Sequence, residues 1–121
     1  MRVMMMIKGD RELGHVPGEE LLAEMGKYNE ELSKAGVLLD LAALRWSAEG
    51  VRVMYSGGKR TVIEGPFGDP KVIVAGYWIL QVKSMDEAIE WAKRVPFEAG
   101  GEPDAEVEIE IRQLFEPDEL G

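Results

Sequence analysis

The chain has 121 residues, with 23 Asp and Glu against 14 Lys and Arg, a net charge of −9. Such an acidic balance repels phosphate backbones and anionic membrane surfaces, so neither nucleic acid nor a membrane is expected as a partner. The absence of cysteine excludes disulfides, thiol nucleophiles and thiolate metal sites. His15, the single histidine, leaves no material for a histidine-rich centre, and no metal or other cofactor is expected.

A hydrophobic fraction of 45% beside 31% charged residues fits an ordinary globular chain. The length supports one core, read here as one domain over residues 1–121 with 114–121 as a polar tail. No stretch approaches the roughly 20 apolar residues needed to cross a bilayer. Nor does an extended apolar segment with a cleavage site follow Met1-Arg2, so the protein is expected in the cytoplasm.

Residues 3–8 are apolar on both alternating faces, as in a central strand, and Gly9-Asp10 opens a polar loop. Pro17 suits the first turn of a helix, and Glu19 and Glu20 suit the positive end of its dipole. Leu21, Met25, Tyr28, Leu32 and Ala35 make one apolar stripe, and Gly36 suits the left-handed residue that ends the helix. Residues 37–44 read as a second buried strand whose one charge, Asp40, shares a side with Leu38, Ala42 and Leu44.

Gly57-Gly58 lies between two strand-like runs, 51–55 and 59–63, and predicts a tight hairpin. Another strand follows at 75–82. Ser84-Met85-Asp86-Glu87 forms a capping box opening a helix that Pro96 stops, and the strand 106–114 closes the order. A β-α-β, hairpin, β-α-β order with both helices on one face of an antiparallel sheet predicts a ferredoxin-like α+β sandwich. The helices cover one sheet face only. The other is apolar as well, so a homodimer, two sheets face to face in a dimeric α/β barrel, is expected.

Glu64-Gly65-Pro66-Phe67-Gly68-Asp69-Pro70-Lys71 resembles the Asp-Gly-Pro-Phe signature of the DGPF-domain branch of the YCII-related proteins. Weaker matches in the same order are Met4 to Asp10, Leu32 to Asp40, Glu49 to Tyr55, Gly76-Tyr77-Trp78 and Asp86 to Ala92. Glu64 stands where the signature has aspartate, Asp69 where it has glutamate, and Pro70 before Lys71 is atypical. The resemblance implies the dimeric α/β barrel and a pocket between sheet and helices. Some relatives are enzymes, including a dehydrochlorinase, and a His–Asp pair has been proposed as catalytic in the wider family. Met25 occupies the position that would align with that histidine, and Asp40 stands near the aspartate's place.

Asp40 is the catalytic candidate: a lone carboxylate on a buried strand makes a general acid or base unless hydrogen bonds from Arg45, Lys71 or backbone N–H groups satisfy it. Glu64, Phe67, Asp69 and Lys71 lie in a loop readable in two ways. It is a turn fixed by Pro66, or a pocket rim whose Phe67 walls a cavity and whose Lys71 meets an anion. Tyr77 is the remaining ligand-binding candidate. Trp46, Trp78 and Trp91 supply flat surfaces that core or dimer packing explains more readily than ligand stacking does. His15 reads as a solvated loop residue, and Glu106, Glu108 and Glu110 on one strand face offer weak material for a hard cation. Two functions follow. One is an accessory homodimer binding a small organic ligand or a protein partner. The other is a lyase or dehydrochlorinase-like enzyme acting on a cyclic or aromatic compound through Asp40.

Overall fold

The computed structural model describes residues 1–11, 17–100 and 106–120. Strands β1 (Arg2–Lys8), β2 (Leu38–Ala43), β3 (Val51–Ser56), β4 (Lys59–Glu64), β5 (Val74–Gln81) and β6 (Glu108–Gln113) are interleaved with helices α1 (Glu19–Lys34) and α2 (Met85–Lys93). Four strands form a sheet in the order β2-β5-β1-β6, every neighbour antiparallel, while β3 and β4 make a separate two-stranded sheet. This is the ferredoxin-like α+β arrangement.

Alternation along the central strands sets the core. Val3 and Met5 of β1 and Trp78 and Leu80 of β5 are buried against Tyr28 and Leu32 of α1 and Ala88 of α2, with Ile109 and Ile111 of β6 alongside. The Tyr28 ring meets Trp78 and Trp91 edge-on, at centroid distances of 5.6 and 6.3 Å. Its hydroxyl donates to the Trp91 carbonyl at 2.7 Å, and the Trp78 indole N–H donates to Asn29 Oδ1 at 2.8 Å. The core aromatics thus bring their polar atoms in satisfied, and burial pushes the Tyr28 hydroxyl above its usual pKa range.

Cap chemistry defines both helices. At the end of α1, Val37 N–H donates to the Leu32 carbonyl and Gly36 N–H to Ser33, with Gly36 at φ 74°, a Schellman ending. Pro17 stands just outside this helix, and Gly18 occupies its N-cap. At α2, Ser84 Oγ accepts from Glu87 N–H at 3.1 Å, and Glu87 reaches back to Lys83 N–H at 2.8 Å.

Three features differ from the sequence reading. Residues 37–44 are not a buried interior strand: β2 is a sheet edge, and Leu39 and Leu41 are exposed. Leu38 and Asp40 also take opposite faces. Leu38 pairs with Leu80 on the core side and Asp40 with Ile79 on the other, because a β-bulge sets two β2 residues against one of β5. Finally, the start of the polar tail is tied down. The Arg2 guanidinium donates to both carboxylate oxygens of Glu116, at 3.2 and 3.0 Å, and Leu114 N–H donates to the Arg2 carbonyl.

Met4, Met6, Tyr77 and Ile79 line the sheet face away from the helices and are half-buried. The hairpin stands apart. Gly57 and Gly58 both take positive φ, 56° and 78°, as a two-residue turn matched to strand twist requires, and every residue of β3 and β4 is exposed.

Candidate functional site

The loop that leaves β4 is anchored on a short 3₁₀ turn, Ser47–Glu49, between β2 and β3. Ser47 is a buried polar residue. Its backbone N–H donates to Asp10 Oδ1 at 2.8 Å, its hydroxyl donates to Asp10 Oδ2, and its oxygen accepts from Phe67 N–H at 3.2 Å. One serine therefore joins the loop after β1, the connection before β3 and the loop after β4. Burial pushes the Asp10 carboxyl up, but hydrogen bonds from the Ser47 hydroxyl and N–H and from the Arg11 backbone outweigh it and hold the group below its ordinary value.

Gly65 completes the junction. Its N–H donates to the Gly50 carbonyl at 2.9 Å, and a Cβ placed on it would lie 1.7 Å from the Ser47 carbonyl oxygen. The Gly65–Pro66 peptide is cis. Asp69 accepts from Lys71 N–H at 2.9 Å and so starts the 3₁₀ turn Pro70–Val72.

Beside this junction lies an open pocket of about 320 Å³ whose walls include Leu44, Trp46, Phe67, Val72 and Ile73. Two arginines and one carboxylate, Glu49, stand in its lining. Arg45 is paired with Glu49 at 3.2 Å. The Arg52 guanidinium lies 4.0 Å over the Phe67 ring and has no carboxylate partner among the described residues. The chemistry on offer is an apolar slot for a flat body, with guanidinium N–H edges left for an anion.

Of the six candidate residues, Phe67 lines this pocket. Glu64, opposite Val51 at the end of β4, and Asp69 and Lys71 are exposed on the same loop outside the lining. Asp40 and Tyr77 lie elsewhere, on the sheet face away from the helices, Asp40 opposite Ile79 and Tyr77 opposite Ala42. The Asp40 carboxylate is exposed and accepts from the Leu41 N–H at 2.8 Å, one of the backbone partners the sequence allowed for. Met25, at the family histidine's position, packs half-buried against the core. His15 falls outside the described residues. Among the described residues no three His, Asp or Glu side chains converge as a metal site. Of the three glutamates weighed for a cation, Glu110 is ion-paired to Lys8 and Arg112.

Sequence reasoning missed Asp10, Ser47 and Arg52. Asp10 and Ser47 meet across 37 positions and carry no spacing motif. The alternation of the hairpin puts Arg52 on one of two faces, without saying which faces the loop.

Asp10 carries a pH dependence with a definite sign. Its folded pKa is depressed below the ordinary 3.8, so the Ser47 contacts contribute fully above that value and are lost as pH falls through the lower, folded one. Stability measured by denaturant titration should fall below about pH 4, and Asp10→Asn should flatten that acid limb. An unchanged limb in the variant would remove the junction from the account.

Among the described residues no helix is long and apolar enough to cross a membrane. A family model described as "YCII-related domain" matches residues 1–110. An uncharacterized protein of Rhizobium meliloti (strain 1021) is 24% identical over 103 residues, covering 84% of this chain and 81% of that protein. With the match spanning β1 through the middle of β6, on a fold of the expected order, the chain belongs to the YCII-related family.

Proposed function

We propose that this chain is a cytoplasmic, homodimeric binding module of the DGPF branch, accessory rather than catalytic, whose pocket beside Phe67 takes a small organic anion with a flat apolar body. The observation that carries the reading is Arg52. In a chain with 23 carboxylates it is ion-paired to none among the described residues, Glu49 of the same pocket being paired to Arg45, and its guanidinium lies over the ring of Phe67 in a largely apolar pocket. Stacking fixes the plane of the guanidinium and leaves its N–H edge for a carboxylate. The homodimer rests on the half-exposed apolar sheet face, and the net charge of −9 argues against nucleic acid.

A lyase or dehydrochlorinase-like reaction at Asp40 gains little from that residue's surroundings. The carboxylate is exposed, its hydrogen bond is to its own neighbour's backbone, and no other titratable side chain bonds to it among the described residues.

Thermal-shift measurements with benzoate, phenylacetate and the neutral benzamide test the pocket. A carboxylate at a hundred times its dissociation constant adds about 2.7 kcal/mol to the stability of the native state. The expected result is a rise with the acids and none with benzamide, and a loss of about tenfold in affinity in Arg52→Gln, which gives up a charge-assisted pair. Equal response to acid and amide, or an Arg52→Gln protein that binds as before, would remove the anion reading.

A further inference from the structure

One face of the hairpin has the pattern of a surface that meets a copy of itself. Pairing of Val51 with Glu64, Val53 with Val62 and Tyr55 with Arg60 sets three rows of side chains on it, from the base of the ribbon to the turn. The opposite face carries Arg52 and its Phe67 contact, so that side turns toward the chain's own loop. On the free face Val51, Val53, Tyr55 and Val62 are between 51% and 69% exposed. An isolated two-stranded ribbon is marginal in water, and an apolar face on one calls for a cover.

Two charges frame the valines. Arg60, near the turn, lies 4.9 Å over the Tyr55 ring, and Glu64 stands at the base. At about 3.3 Å per residue they are roughly 13 Å apart along β4, too far to pair with each other. Among the described residues neither is ion-paired to anything else. The face is neutral as a whole, positive at one end and negative at the other. Its complement is the same face turned end for end.

Geometry fixes how two such faces meet. On a two-fold axis crossing the strands through the Val53–Val62 row, β4 lies over β4 with its direction reversed. Arg60 of each copy then faces Glu64 of the other, in two symmetric pairs. Val51 of each falls on Tyr55 of the other, while Val53 and Val62 meet their own mates on the axis. An axis along the strands would instead set Glu64 over Val51 and Arg60 over Tyr55, leaving both carboxylates on apolar surface. We infer that the hairpins of two copies pack face to face in the reversed orientation. The contact uses no residue of the open sheet face, so it joins one homodimer to another. Six side chains from each copy fall well short of the about 20–30 residues a side of a standard stable interface, so this association is weak and grows with concentration.

A chain without cysteine allows a direct test. Val53→Cys puts a thiol on the axis, and Thr61→Cys puts one on the opposite face of the same ribbon. Treated with a short bis-maleimide, Val53→Cys is expected to cross-link between copies at least about tenfold faster than Thr61→Cys. In the Val53→Cys protein, Arg60→Glu or Glu64→Arg alone is expected to slow the reaction about tenfold, and the two together to bring it back to within about threefold. All these positions are exposed, so the variants fold, as far-UV circular dichroism checks. Cross-linking no faster at position 53 than at 61, a rate indifferent to both single reversals, or a double reversal no faster than the singles would overturn the hairpin contact. The sheet-faced homodimer uses other residues and stands or falls separately.

Discussion

Replacing Gly65 with alanine is expected to cost on the order of 2–4 kcal/mol of folding stability and to release the Phe67 loop from Ser47. The reason is geometric. The added Cβ would sit 1.7 Å from the Ser47 carbonyl oxygen and 2.6 Å from its carbonyl carbon, both backbone atoms that cannot swing aside. Ser47 is itself held by two hydrogen bonds to Asp10 and accepts from Phe67, so moving it strains all three segments at once. Gly50 is the control. A Cβ there meets Ser47 O at 3.5 Å and Phe67 at 3.7 Å, ordinary contact, and its backbone is extended. Urea unfolding of both variants checks the contrast. Equal losses for Gly65→Ala and Gly50→Ala would mean that the close approach is not what fixes the loop.

Leu80→Ala should cost about 2–5 kcal/mol, the range for a leucine removed from a core that cannot collapse around the gap. Leu80 is fully buried and pairs with Val3 of β1 on one side and Leu38 of β2 on the other. It therefore joins the edge strand to the centre of the sheet. Ile79→Ala, one residue away on the open face, should cost the folded protomer less, because its side chain is only half-buried. Equilibrium denaturation in the monomeric range separates the two. A larger loss at Ile79 would place the core on the wrong side of the sheet.

What the sequence tells directly is what local chemistry decides. The Gly57-Gly58 turn, the Ser84 cap and the Gly36 ending all appear where residue type demands them, since each rests on a backbone conformation or hydrogen bond within a few residues. The bulge at Leu39-Asp40 is invisible in the same way. Apolar residues flank it on both sides, and register is settled by β5, about 40 positions later. An edge strand as apolar as β2 also reads as an interior one when alternation is the only guide. In the candidate site, Phe67 was legible because glycines and prolines surround an aromatic in a polar loop. The Asp10–Ser47 junction that holds it, and the Arg52 stacked upon it, depend on contacts between distant segments that no spacing encodes.

The pocket beside Phe67 is the centre of the functional account, and an amide NMR titration of the full chain with benzoate tests it most directly. Saturable shifts are expected at the amides of Ser47, Gly50, Phe67 and Ile73, residues that line the pocket, and are expected to disappear in Arg52→Gln. Shifts centred instead on Asp40 and Tyr77, or no saturable shift at any amide, would contradict it.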